Sequence, residues 1–115
     1  MKNEESRLQA ACVQWFRLQY PVMARLLFAI PNGGSRNPAT GAILKREGVL
    51  PGVADLMLAI PSQGEPGLFI EMKTPTGRQS KSQAEFMLCV TEQGYRYRIV
   101  RSLDEFIETI KDYMA

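Results

Sequence analysis

The chain is 115 residues long and 45% apolar, enough for one compact domain spanning residues 1–115 and too short for a second. With 14 basic and 12 acidic residues the net charge is only +2, so charge placement rather than charge total must mark any surface for a polyanion. Histidine is absent and no cysteine pair stands at ligand spacing, which argues against the usual zinc sites and histidine-based nucleophilic catalysis and leaves hard cations with oxygen ligands.

Residues Met1 to Arg7 are polar and acidic, unlike a secretory signal, and no run approaches membrane-spanning length, so a cytoplasmic protein without a membrane partner is expected. Leu8, Ala11, Cys12, Trp15 and Phe16 follow the spacing that gathers side chains on one helical face, with Asn3 as the expected cap and Pro21 as the stop. Met23 to Ile30 reads as a buried strand closed by the turn Pro31-Asn32-Gly33-Gly34. From Pro31 to Gly52 the chain is glycine-rich and poorly periodic, a long loop of the kind that usually serves function.

Val53 to Ile60 and Leu68 to Lys73 are apolar runs separated by the turn Pro61 to Gly67, so two strands in an antiparallel hairpin are expected. Ser80 to Gln93 reads as a helix, with a capping box at Ser80-Lys81-Ser82-Gln83, an inward face of Ala84, Met87, Leu88 and Thr91, and Gly94 as C-cap. Tyr95 to Val100 alternates like a strand with one covered face, leaving Arg96 and Arg98 on the wet side. Ser102-Leu103-Asp104-Glu105 then opens a final amphipathic helix by a second capping box. Cys12 and Cys89 both fall in the helical stretches, on or beside apolar faces, and read as reduced packing thiols. The predicted fold class is α/β, a mixed β-sheet flanked by helices in the order α-β-β-β-α-β-α.

Within the third strand, Glu71 and Lys73 are two residues apart and therefore share a face at the end of an apolar run. Charges placed there are costly unless they pair or bind something. The hairpin brings Asp55 toward Glu71, since both lie at strand ends remote from the Pro61 to Gly67 turn. Two crowded carboxylates are stabilised by a divalent cation, and a site with few protein oxygens suits magnesium, which keeps water and phosphate in its other positions. A lysine beside them suits phosphoryl chemistry by orienting the attacking water and offsetting charge on pentavalent phosphorus. Taken alone, Glu-Xaa-Lys is more often a surface ion pair; the ordered combination with Asp55 after a glycine turn is the informative feature.

That combination resembles the PD-(D/E)XK nuclease superfamily, with its restriction-endonuclease-like core, and within it the VRR-NUC family of replication and repair nucleases in the stand-alone bacterial and phage form. The resemblance is carried by Ile30-Pro31-Asn32-Gly33-Gly34 with Arg36, by Gly48-Val49-Leu50-Pro51-Gly52-Val53-Ala54-Asp55, by Leu68-Phe69-Ile70-Glu71-Met72-Lys73, and by Gln83. It implies that Asp55 and Glu71 bind Mg2+ or Mn2+, that the Met72 carbonyl is a further ligand, that Lys73 is the catalytic lysine, and that Gln83 sits close by. It also implies an acid from the first helix, where the spacing of Glu5 to Gln9 fits better than that of Glu4. Ala54 stands where the superfamily has proline, a residue that shapes backbone rather than performing chemistry.

Asn32, Gly33, Gly34, Arg36, Lys45 and Arg46 are candidate phosphate contacts, because glycine-rich backbone with neighbouring cations can approach phosphates closely. Arg78 and Lys81, just beyond Lys73, are further DNA-binding candidates. The resemblance implies an endonuclease acting on branched DNA, a Holliday junction or a flap, and the symmetry of a junction suggests a homodimer. The competing expectation is a DNA-binding accessory module of a replication or repair assembly that does not cut.

Overall fold

A computed structural model describes residues 2–31 and 38–115. The elements in chain order are α1 (Lys2–Gln19), a 3₁₀ turn (Pro21–Leu26), β1 (Leu27–Ala29), α2 (Pro38–Arg46), β2 (Leu56–Leu58), β3 (Leu68–Met72), α3 (Lys81–Glu92), β4 (Arg96–Val100) and α4 (Leu103–Tyr113). They form a four-stranded sheet in the order β1-β2-β3-β4. The predicted hairpin is present: β2 pairs antiparallel with β3, Leu56 opposite Ile70 and Leu58 opposite Leu68. The β3–β4 pair is parallel, Glu71 opposite Ile99, with α3 as the crossover that a parallel pair requires.

Every residue of β3 is buried, because the strand is central and both its faces are covered. On one face Leu68, Ile70 and Met72 join Leu56, Leu58 and Val100 beneath Cys12 and Phe16 of α1 and Phe106, Ile110 and Tyr113 of α4. On the other face Phe69, Tyr97 and Ala54 meet Phe86, Met87 and Val90 of α3. The face of α3 turned to the sheet is only partly the predicted one: Met87 packs there, but Leu88 and Thr91 are exposed, and Phe86 and Val90 take their place. Helical spacing alone allowed either stripe, and the aromatic contact of Phe86 with Phe69, edge-on at 5.2 Å, decides between them.

Three further expectations are corrected. Between Met23 and Ile30 only Leu27–Ala29 is strand, since Pro21 fixes a helical φ and Met23 N–H turns back to the Tyr20 carbonyl at 3.0 Å. The supposed loop from Pro31 to Gly52 contains α2, a nine-residue helix with Pro38 at its start and Lys45 and Arg46 in its last turn; it is too short to show a periodic stripe. Asn3 lies inside α1, which begins at Lys2, so it is not the cap.

Both predicted serine caps are present. Ser80 and Gln83 close a complete capping box, whereas at Ser102 the box is displaced by one residue, because the Glu105 carboxylate accepts from Arg101 N–H instead. Gly94 follows α3 at φ +95, the left-handed conformation that suits glycine after a helix C-terminus. Cys12 is buried, and desolvation pushes its thiol up to about 12, while Cys89 is exposed on α3; both are free. Among the described residues no helix is long and apolar enough to cross a membrane.

Candidate active site

Asp55 enters the site from the residue just before β2. Its carbonyl accepts Ile30 N–H at 2.9 Å, and its Oδ2 accepts Met72 N–H at 2.6 Å, so the backbone on both sides fixes it. The approach to Asp55 depends on Gly52, which sits at φ +88 with its Cα pressed on the first turn of α3. A Cβ there would come within 2.7 Å of the Ser82 backbone, closer than any side chain tolerates.

Glu71 and Lys73 project from β3 toward the α3 face, as period-two geometry requires. The Glu71 carboxylate is wholly buried. Its Oε1 accepts the Tyr97 hydroxyl at 2.6 Å and Gln79 Nε2 at 3.0 Å, whereas its Oε2 is buried with no hydrogen-bond partner and lies 3.5 Å from Lys73 Nζ. Lys73 Nζ donates to Gln83 Oε1 at 2.9 Å, and the same oxygen accepts Ser80 N–H at 2.7 Å. Gln83 is thus both the capping residue of α3 and the support of Lys73, so the two readings of it are not alternatives.

Burial is the main cause that raises the Asp55 carboxyl above its ordinary range; the charges of Glu5 and Glu71 raise it further, against the Met72 N–H and Lys73. Tyr97 is held firmly in its protonated form by burial and by the Glu71 carboxylate beside it. A small cavity of about 180 Å³ opens next to Lys73, lined by Glu4, Glu5, Leu8, Thr74, Pro75 and Arg101. Glu5 therefore faces the site. Among the described residues, however, no three acidic, cysteine or histidine side chains converge at metal-binding distance.

The donor set that fits a cation is then Asp55, Glu71 and backbone. An orphaned buried carboxylate oxygen on Glu71, next to a carboxyl that burial and like charge drive toward protonation, is the chemistry a small divalent ion stabilises. In a β-strand the N–H and C=O of one residue leave on the same edge, so the Met72 carbonyl is directed to the Asp55 side along with its N–H.

Three residues around this site carried no signal of their role in the sequence. Tyr97 and Gln79 hold Glu71, and Arg101 donates to the carbonyls of Thr74 and Gly77 at 2.8 Å each, pinning the segment that follows Lys73. A tyrosine within a covered strand face does call for a hydroxyl partner, but only the β3–β4 register names it. Of the cationic candidates, Arg78 and Lys81 are exposed beside α3, and Lys45 and Arg46 are exposed at the end of α2. Asn32, Gly33, Gly34 and Arg36 lie outside the described residues. Arg96, expected on a wet edge, is instead engaged with Glu65 at 2.6 Å and Asp112 at 3.2 Å.

A mixed sheet with helices on both faces, and with acidic and lysine side chains gathered at the ends of β2 and β3, defines a restriction-endonuclease-like α/β core. The VRR-NUC domain profile matches residues 3–104, and the chain belongs to that family. It is a nuclease-type domain, with DNA as its substrate class. A solved VRR_NUC domain protein superposes with a TM-score of 0.83 over 95% of this chain and 86% of its own, at 24% sequence identity, which shows the shared fold. No curated protein sequence matches the chain.

Proposed function

We infer that this domain, over residues 1–115, is a metal-dependent endonuclease that hydrolyses DNA phosphodiester bonds, with Asp55, Glu71, Lys73 and Gln83 as its catalytic group. The observation that carries the reading is the buried Glu71 Oε2, without a hydrogen-bond partner, on the same face as Lys73 Nζ and close enough to raise the Asp55 carboxyl. Asp55, Glu71 and the Met72 carbonyl would hold Mg2+ or Mn2+, with Glu5 of α1, which lines the cavity beside Lys73, completing the set. When bound, such an ion supplies Lewis acidity at the phosphoryl oxygen and a more acidic water.

The remaining steps belong to the chain's own residues. Lys73, held by Gln83, orients the attacking water and offsets the negative charge that grows on the non-bridging phosphoryl oxygens. The water oxygen bonds to phosphorus, releasing a proton to solvent, and the P–O bond breaks, its leaving oxygen taking a proton from solvent. Arg78, Lys81, Lys45 and Arg46 are exposed, which supports them as phosphate contacts, and Asn32, Gly33, Gly34 and Arg36 are proposed beside them on their sequence pattern. The aromatic residues of α1 are spent on packing, with Trp15 edge-on to Phe106 at 6.1 Å, which favours recognition by backbone and shape over stacking on bases.

Branched DNA, a Holliday junction or flap, is the proposed substrate, cut by a homodimer in the cytoplasm of a bacterial or phage-infected cell. Support for a second copy comes from β1, an edge strand with Phe28 43% exposed, which follows the 96% exposed Val22. The test is cleavage of end-labelled four-way junction, flap and linear duplex with magnesium, manganese or chelator, wild type beside Lys73→Ala. Metal-dependent cutting that falls about 10²–10⁴-fold in the variant is the expected result. Tight binding without cutting would replace the enzyme by an accessory DNA-binding module, and a monomeric mass at cutting concentrations would remove the homodimer.

A further inference from the structure

Glu71 is offered to a ligand through one oxygen only. An ionised carboxylate has about four lone-pair positions, two on each oxygen. Both positions of Oε1 are taken, by the Tyr97 hydroxyl at 2.6 Å and by Gln79 Nε2 at 3.0 Å, and both donors are fixed by packing of their own. Tyr97 is buried in β4 with its ring 6.4 Å from that of Phe86, and Gln79 also reaches Met87 Sδ at 3.6 Å. Oε2 accepts no hydrogen bond; it is buried, with only the Lys73 ammonium 3.5 Å away.

One-oxygen and two-oxygen ligation suit different cations. Magnesium requires near-octahedral geometry at short distances and takes carboxylates through single oxygens; calcium accepts six to eight oxygens and readily uses both oxygens of one carboxylate. We propose that Tyr97 and Gln79 act as positioning residues that hold Glu71 to single-oxygen ligation and so set the preference of this site for magnesium over calcium. The proposal rests on the reading of Asp55 and Glu71 as metal ligands. Donors around a metal ligand influence affinity by about 10–100-fold in general. Here the geometry gives that influence a direction, because releasing Oε1 opens the second oxygen that calcium uses and magnesium does not.

The experiment is calorimetric titration of the intact protein with magnesium alone and calcium alone, for wild type, Tyr97→Phe and Gln79→Met. Tyr97→Phe keeps the ring contacts and removes one donor; Gln79→Met keeps chain length and removes the other. The ratio of calcium to magnesium dissociation constants is expected to fall about 10-fold or more in each variant. Should Tyr97→Phe fail to fold, Gln79→Met carries the decision alone. A ratio within twofold of wild type, or equal weakening toward both ions, overturns the proposal while leaving the metal site standing. Absence of uptake of either ion by wild type overturns the metal reading and this inference with it.

Discussion

Met72 N–H donates to Asp55 Oδ2 at 2.6 Å, so the backbone of the central strand grips the side chain that opens the neighbouring strand. The bond does two things. It locks Asp55 against β3 one residue from Glu71, and it ties the chain leaving Gly52 to the sheet at the point where the proposed chemistry is centred.

Asp55 keeps its proton more tightly in the fold than in the unfolded chain, where an ordinary aspartate titrates near 3.8. Between 3.8 and the raised native value the folded state binds more protons, so this residue's contribution to stability falls as pH rises through that window and stays low above it. Without divalent metal, Asp55→Asn is expected to flatten that slope and to melt higher than wild type at neutral pH. Added magnesium should raise the wild-type melting temperature and leave the variant's unchanged. Thermal melts across acidic to neutral pH, with chelator and with magnesium, check both; identical pH slopes for the two proteins would count against the account.

Gly52 and Gly48 separate two causes of glycine dependence. Both have positive φ, +88 and +101, but a Cβ at Gly52 meets the Ser82 backbone while one at Gly48 meets nothing within 4 Å. Gly48→Ala is therefore expected to cost about 1 kcal/mol, the left-handed strain alone. Gly52→Ala should cost at least about 2 kcal/mol, because the chain must also move off α3. Urea denaturation measures the difference, and the same movement should reduce cleavage by shifting Asp55.

Arg101 donates to the carbonyls of Thr74 and Gly77 and faces the cavity beside Lys73. Both bonds come from one nitrogen, Nη1, so Arg101→Met, which keeps an extended side chain and removes the donor, releases both carbonyls at once. Cleavage is expected to drop about 10-fold or more through misplacement of Lys73 and Gln79, with a stability loss of only about 1 kcal/mol. Single-turnover rates compared with melting curves test this, and a large stability loss without loss of rate in the folded fraction would show that the contact serves the fold alone.

The two thiols should respond oppositely to a disulfide-exchange reagent. Cys12 is buried and its thiol is pushed up to about 12, so it carries almost no thiolate at mildly alkaline pH, while Cys89 is exposed. Native protein is expected to release one equivalent of chromophore promptly and the second only after denaturation. Prompt release of two would mean that the α1 face opens readily.

Much of the architecture is legible in local patterns. The order of the main elements, the β2–β3 hairpin, the serine caps and the shared face of Glu71 and Lys73 follow from spacing, turn residues and period-two alternation, because these signals act over a few residues. Helix α2 and the inward stripe of α3 are not legible in that way. A nine-residue helix is too short to display a period, and two stripes of α3 have equivalent spacing until the aromatic cluster at Phe69 selects one.

By itself the sequence determined which residue types are available, their grouping along the strands, and the resemblance that the VRR-NUC match over residues 3–104 established as family membership. Only tertiary structure decided what holds them. Tyr97 meets Glu71 from 26 residues away and Arg101 meets Thr74 from 27, through a parallel pairing whose register no local pattern encodes. The reason is physical: hydrogen bonds and buried charges are satisfied by whatever packing brings close, and that is a property of the assembled sheet rather than of any single segment.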